Sequence, residues 1–307
     1  MELIRTSAVT KTFGQFKSFD GTSLYYEIRG SGKSEPIIFI YGIACLINHF
    51  RPQVNYFSNF YKTVAYDLRG HQKSQKGPLE NLTIDTLSRD LLSLMNHLKI
   101  KKAHLIGHSF GVPILIDFAA SHPDRVSSLV LINGFSKNPI KNMFGLNIVE
   151  PFFHFLKRKY SEAPPVWNYI WQQSINNPLA IQLSALAGGF NLKLTSLKDI
   201  EIYVKGVAHM DLQVFLTLFE DMMNFDGDHL LTKITAPALV ISGEKDMVTP
   251  ESFQREMAHK IPNGIFLKVP YGSHCTQLDF PDYINLTIEK FYSSLEEEVL
   301  EETSPSI

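Results

Sequence analysis

The stretch Gly107-His108-Ser109-Phe110-Gly111 constrains this chain more than any other. An apolar run, Ala103-His104-Leu105-Ile106, precedes it, and the helix-compatible Val112-Pro113-Ile114-Leu115-Ile116-Asp117-Phe118-Ala119-Ala120 follows. A buried strand that turns sharply into a helix around Gly-x-Ser-x-Gly needs its glycines, because strand and helix backbones approach closely and a Cβ would collide. The serine at the centre is expected to hold strained dihedrals that lift its Oγ clear of the sheet edge. The helix start behind it supplies unpaired N–H groups and the positive end of a dipole, which favour negative charge developing on a nearby oxygen. Ser109 is therefore a candidate nucleophile.

The flanking pattern predicts the architecture. Phe16-Lys17-Ser18-Phe19 and Leu24-Tyr25-Tyr26-Glu27-Ile28 flank Asp20-Gly21, a dipeptide suited to positive φ, which predicts a hairpin at an antiparallel edge. Ile37-Ile38-Phe39-Ile40 is continuously apolar, as expected of a strand covered on both faces in a mainly parallel sheet. Further runs stand at Thr63–Tyr66, Ala103–Ile106, Leu129–Ile132, Ala238–Ile241 and Ile265–Val269. Helical patterns lie between them; over Thr83–Leu98, Ile84, Leu87, Leu91, Leu94 and Leu98 share one face. Strands alternating with helices give the α/β class, a mostly parallel, doubly wound sheet.

The alternation stops after Asn133-Gly134. From 136 to 228 no buried-strand run occurs, and the segment reads as helices separated by Pro139, Pro151, Pro164-Pro165 and Pro178. Both tryptophans, Trp167 and Trp171, fall here with Phe144, Phe152, Phe153, Phe155, Tyr160 and Phe190. An insertion of this size reads as a helical cap, residues 136–228, set into a core of residues 1–135 and 229–294. It would lie over the strand C-terminal edge, where such sheets bind ligands. Its rings either roof a pocket or hold the cap helices together, since aromatics dominate ordinary cores as well. Phe153, Trp167 and Trp171, with Tyr41 from the core, are the candidate substrate-binding residues. Residues 295–307 form an acidic C-terminal tail on the last helix.

A formal net charge of −2 over 307 residues gives no reason to expect nucleic acid or an anionic membrane as partner. Phe152-Phe153-His154-Phe155-Leu156 beside Lys157-Arg158-Lys159 reads as a cap helix with a solvated basic end rather than a membrane contact. Cys45 and Cys275 are the only cysteines, with no Cys-x-x-Cys and no paired Cys/His spacing. Two buried thiols are expected, without a disulfide, a metal or another cofactor. The N-terminal residues lack the apolar core of a signal peptide, and the apolar stretch Pro36–Ile47 is too short to span a bilayer, so a cytoplasmic location is the expectation. Nothing in the sequence speaks to oligomeric state.

A serine at such a turn needs a base, and the base needs an orienting acid, in the chain order Ser, Asp or Glu, His, each on a loop after a strand. Pro237–Ile241 runs as a strand into Ser242-Gly243-Glu244-Lys245-Asp246. Asp246 is favoured over Glu244, which lies in the tighter part of the turn; Asp226 and Asp228 precede the strand. Ile265–Val269 is followed by Pro270-Tyr271-Gly272-Ser273-His274, and of the eleven histidines only His274 lies just after a C-terminal strand and beyond the acid. His274 Nε2 would take the Ser109 proton while Asp246 holds Nδ1–H. His97, His122, His154, His209, His229 and His259 read as ordinary surface or core residues, and His108 as support for the turn, pointing away from Ser109. The backbone N–H groups of Phe110 and Ile43, the latter on the loop Tyr41-Gly42-Ile43, are the candidate oxyanion donors.

Together these residues resemble the α/β-hydrolase superfamily, in its capped, single-chain esterase and carbon–carbon hydrolase branch, from about Phe19 to Phe291. Asp67-Leu68-Arg69-Gly70-His71-Gln72-Lys73-Ser74 is similar to the family's Asp-x-Arg-Gly-x-Gly-x-Ser loop, and Gly243-Glu244-Lys245-Asp246 and Gly272-Ser273-His274 carry the rest. The resemblance implies the same triad of Ser109, Asp246 and His274, acting on a small or medium lipophilic carboxylic ester through an acyl-enzyme. Carbon–carbon bond hydrolysis, lactone hydrolysis and acyl transfer use the same triad. The chain departs from the family with Tyr41 where His-Gly is usual and Gln72 where the second loop glycine stands. Those departures motivate the competing reading of a non-catalytic receptor on this fold. Serine at the turn disfavours the aspartate-nucleophile dehalogenases and epoxide hydrolases.

Overall fold

Each apolar run predicted as a strand is one in the computed structural model, which describes residues 10–140, 143, 147–175, 177 and 189–303. The strands are β1 Lys11–Lys17, β2 Ser23–Arg29, β3 Ile37–Ile40, β4 Thr63–Tyr66, β5 Ala103–His108, β6 Val126–Ile132, β7 Ala238–Gly243 and β8 Gly264–Val269. They form one sheet in the order β1-β2-β4-β3-β5-β6-β7-β8. β2 runs antiparallel to both of its neighbours, β1 and β4, and pairs with β1 through the predicted hairpin. Gly21 in that turn has a φ of 84°, a conformation open to glycine without a Cβ clash. β1 begins at Lys11, earlier than expected, because an edge strand needs no apolar face and Lys11, Thr12 and Phe13 are exposed; it ends at Lys17, so Ser18 and Phe19, expected in the strand, belong to the turn.

β3 and β4 are buried along their whole length, and β5 and β6 at all but one position, as strands covered on both faces must be. The helix Ile84–His97 follows its predicted stripe, with Thr83 as N-cap accepting the Thr86 N–H at 3.2 Å. It packs on the helix Gly111–Ser121, as Arg51–Phe57 does on Pro281–Thr303. That last helix continues through the glutamates read as a tail, which are good helix formers. No helix among the described residues is long and apolar enough to cross a membrane.

One fully buried cation ties the edge hairpin to the parallel sheet. Arg69, on the loop after β4, donates Nε to Asp90 Oδ2 at 2.6 Å and Nη1 to Asp20 Oδ2 at 2.7 Å. Asp20 stands in the hairpin turn, and Arg69 beside it holds its carboxyl well below the usual carboxylate range.

Between β6 and β7 the chain forms the helices Val149–Glu162, Pro164–Ile175, Leu197–His209 and Leu212–Asn224. The two ends of the insertion meet: Lys137 and Asp226 form an antiparallel bridge, and the Gly227 N–H donates to the Ser136 carbonyl at 2.7 Å. Phe144 and Pro178 lie outside the described residues, as do residues 304–307. Because β3, β5, β6, β7 and β8 are mutually parallel, the loops after them emerge at one sheet edge.

Candidate active site

Ser109 stands in the turn between β5 and the helix Gly111–Ser121, with a φ of 54°, a left-handed conformation costing a non-glycine residue roughly 1–2 kcal/mol. The neighbouring glycines make that turn sterically feasible. A Cβ on Gly111 would stand 2.3 Å from the Ile40 carbonyl oxygen, and one on Gly107 would stand 2.8 Å from Leu115 Cδ1. The Ser109 amide is spent on the Ile132 carbonyl at 3.0 Å, which anchors the turn to β6.

The three predicted side chains converge. Ser109 Oγ lies 2.9 Å from His274 Nε2, and His274 Nδ1 lies 3.0 Å from Asp246 Oδ2. A serine O–H donating to Nε2 leaves Nδ1–H to donate to the carboxylate, the tautomer a general base requires. Asp246 Oδ1 accepts the N–H groups of Val248 at 2.8 Å and Thr249 at 2.9 Å, and Oδ2 lies 2.7 Å from the Thr249 hydroxyl. These donors fix the carboxylate plane toward His274. Glu244, the rival acid, is turned away and accepts the Tyr271 N–H at 3.0 Å.

The loop carrying His274 is held from several sides. Asp279 Oδ2 accepts the Ser273 N–H at 2.6 Å and the Ser273 hydroxyl at 2.7 Å. The His274 carbonyl accepts Asn133 Nδ2 at 2.7 Å and His108 Nε2–H at 2.8 Å. His108 thus supports the His274 loop as well as the turn, its ring 4.9 Å from that of His274. Its Nδ1 faces His49 Nε2 at 3.2 Å, and burial pushes the His49 imidazole down to about 3 and that of His108 downward too. Neither Asn133 nor His49 was a sequence candidate, because both act through contacts between residues far apart in the chain.

The loop facing Ser109 is fixed from below. Tyr41 is buried, its hydroxyl donating to Asp67 Oδ1 at 3.1 Å and accepting the Leu68 N–H at 2.8 Å. His71 Nε2 accepts the Ala44 N–H at 3.0 Å while Nδ1–H donates to the Arg69 carbonyl at 2.8 Å. Among the described residues no internal acceptor is found for the Ile43 or Phe110 N–H. Gln72 takes the left-handed φ of 41° in place of the expected glycine.

A cavity of about 420 Å³ opens over Ser109 and His274. Its apolar wall includes Phe135, Phe190, Phe215, Phe219 and Met222, and no Asp, Glu, Lys or Arg lines it among the described residues. None of the four candidate substrate-binding residues is among the residues lining the cavity. Tyr41 is occupied with the loop below, Phe153 stacks on Phe219 at 5.1 Å, Trp171 lies against Phe215 at 4.8 Å, and Trp167 meets Phe155 edge-on at 6.4 Å. Phe215, Phe219 and Met222 recur at helical spacing on Leu212–Asn224, a signal in the sequence that could have identified them.

The family model described as alpha/beta hydrolase fold matches residues 35–281. A protein of Caulobacter sp. (strain K31) named as a carbamate hydrolase, RutD, an assignment its name marks as provisional, is 26% identical over 274 residues, covering 88% of this chain and 96% of its own. Among solved structures, the enol-lactonase of Burkholderia xenovorans LB400 superposes with a TM-score of 0.73 at 22% identity, covering 91% of this chain and 100% of its own. A thermophilic esterase of Thermogutta terrifontis superposes with a TM-score of 0.72 at 19% identity, covering 92% and 99%. The chain belongs to the α/β-hydrolase fold family.

Proposed function

We propose that this hydrolase-family protein is a serine hydrolase that cleaves a small or medium lipophilic carboxylic ester through an acyl-enzyme. The observation that carries the reading is the continuous line Ser109 Oγ, His274 Nε2, His274 Nδ1, Asp246 Oδ2, with successive contacts of 2.9 Å and 3.0 Å, at the floor of an apolar cavity. Ser109 Oγ attacks the ester carbonyl as its proton passes to His274 Nε2, and Asp246 stabilises the imidazolium. The Phe110 and Ile43 N–H groups receive the oxyanion; one such donor is typically worth about 3 kcal/mol of barrier. His274 returns the proton to the departing alcohol, then activates the water that releases the acid.

Residues 136–228 act as the cap, its rings receiving the acyl chain. A cavity with no charged side chain among its described lining favours a neutral substrate, because a buried carboxylate would find no counter-ion among those residues. Relatives named for carbamate, lactone and ester chemistry all point to acyl compounds, which supports an acyl transfer to water. Hydrolysis of p-nitrophenyl acetate, butyrate and octanoate by the protein and by Ser109→Ala tests the proposal. Turnover by the wild type that Ser109→Ala loses is the expected result; equal turnover by both removes Ser109 from the mechanism.

A further inference from the structure

We propose that, on the reading of His274 as the general base, Thr195 and Asn191 of the insert are positioning residues for His274, acting on its loop through the buried carboxylate of Asp279. Asp279 ends the short helix Thr276–Asp279, directly after that loop, and its two oxygens face different parts of the chain. Oδ2 accepts the N–H and the hydroxyl of Ser273, the neighbour of His274, at 2.6 Å and 2.7 Å. Oδ1 accepts the Thr195 hydroxyl and, at 3.4 Å, the Asn191 N–H. Among the described residues, both donors to Oδ1 therefore come from the insert.

Thr195, Ser273 and Asp279 are all buried. A carboxylate taken out of water needs hydrogen-bond donors on its oxygens, and without the Thr195 hydroxyl Oδ1 keeps one long N–H contact. The carboxylate then turns toward other donors or admits water, and its hold on Ser273 changes with it. A second contact reaches the same loop: Asn191 Nδ2 donates to the Tyr271 carbonyl at 3.2 Å. Tyr271 has a φ of 60°, a left-handed conformation that persists in a non-glycine residue only when its surroundings hold it. Glu244 accepts its N–H on one side, and Asn191 donates to its carbonyl on the other.

The two contacts belong to one closed turn, because the Asn191 carbonyl accepts the N–H groups of Leu194 at 2.9 Å and Thr195 at 2.8 Å. Phe190, directly before that turn, lines the cavity over Ser109. The turn thus joins the cavity wall to the loop that must keep His274 Nε2 at 2.9 Å from Ser109 Oγ. Displacement of a reacting group by about 1 Å costs on the order of 100-fold, so the seating of the insert and the efficiency of proton transfer are linked.

Thr195→Val removes the hydroxyl at nearly constant shape, and Thr195→Ser keeps it. With p-nitrophenyl butyrate, Thr195→Val is expected to lower kcat about tenfold with KM within about twofold of wild type, and Thr195→Ser to keep kcat within about threefold. Amide hydrogen exchange reads the contact without substrate. Residues 270–276 are expected to exchange at least about fivefold faster in Thr195→Val and at the wild-type rate in Thr195→Ser, with the β1–β2 hairpin unchanged in both. Thermal melting verifies each fold; if Thr195→Val does not fold, Asn191→Ala, with the same expected directions, takes its place. Unchanged exchange over 270–276, a raised KM at unchanged kcat, or an equal loss of kcat in Thr195→Ser would overturn the proposal. A wild type without ester turnover contradicts the hydrolysis instead, and the exchange result then decides whether the insert holds the His274 loop.

Discussion

Asn133 donates its side-chain amide to the backbone carbonyl of His274 at 2.7 Å. The same amide nitrogen lies 3.0 Å from the Ser273 carbonyl, and the amide oxygen accepts the Gly243 N–H at 2.7 Å. One buried residue at the end of β6 therefore joins the loop of His274 to the end of the strand that leads to Asp246. Asn133 touches no reacting atom; its role is to position His274. Misplacement of a catalytic group by about 1 Å costs on the order of 100-fold. Asn133→Ala is expected to lower kcat by roughly 10- to 100-fold with KM little changed, measured with p-nitrophenyl butyrate. A raised KM at unchanged kcat would contradict the positioning role.

Asp67 couples the loop under Tyr41 to pH. Burial raises its carboxyl from 3.8 to about 6, against the opposing Lys73 N–H and Tyr41 hydroxyl. The folded state then keeps a proton that the unfolded chain loses between about pH 4 and pH 6. This contribution to stability is complete below about pH 4, is lost as pH rises through about 6, and is worth up to about 3 kcal/mol. Urea unfolding at several pH values is expected to show Asp67→Asn gaining on the wild type as pH rises from 4 to 7. A constant difference between the two proteins would show that Asp67 is not the titrating group.

Arg69 and Asp90 are both fully buried and paired at 2.6 Å. Removing one partner of such a pair leaves an uncompensated charge and costs about 3–5 kcal/mol. Arg69→Met is expected to lose that much in urea unfolding, and adding Asp90→Leu to recover part of it. A single variant within 1 kcal/mol of wild type, about the size of an exposed pair, would show that the ion pair contributes little.

Phe219 stands between the cavity and Phe153. Phe219→Ala opens space toward the insert, and each methylene newly taken in is worth about 0.8 kcal/mol, about fourfold in kcat/KM. The octanoate-to-acetate ratio of kcat/KM is expected to rise. An unchanged ratio would place the acyl chain elsewhere.

These residues also mark how far the fold and the site could be read from the sequence. Ile37–Ile40 and Thr63–Tyr66 were legible to the residue because a strand buried on both faces leaves a continuous apolar run. Ser109, Asp246 and His274 were legible as neighbours because strand order and direction bring their loops to one edge. Lys11–Phe13 was not, since an exposed edge strand carries no apolar pattern. Asn133 and His49 were missed for another reason: each is polar and buried, and its worth lies in partners more than a hundred residues away in sequence. The insert's aromatics were visible as a group, but which rings face the cavity depends on how its helices roll against one another. Phe215 and Phe219 line it, Trp171 packs on Phe215 from outside the lining, and Trp167 meets Phe155.

The most direct measurement is the mass of the intact protein after reaction with a fluorophosphonate, followed by peptide mapping. A serine activated by His274 displaces fluoride, and the phosphonyl adduct stays on Oγ. One adduct per chain is expected, on Ser109, absent from Ser109→Ala and strongly slowed in His274→Ala. An unlabelled folded protein, or an adduct elsewhere, would contradict the account and favour a fold that binds without catalysing.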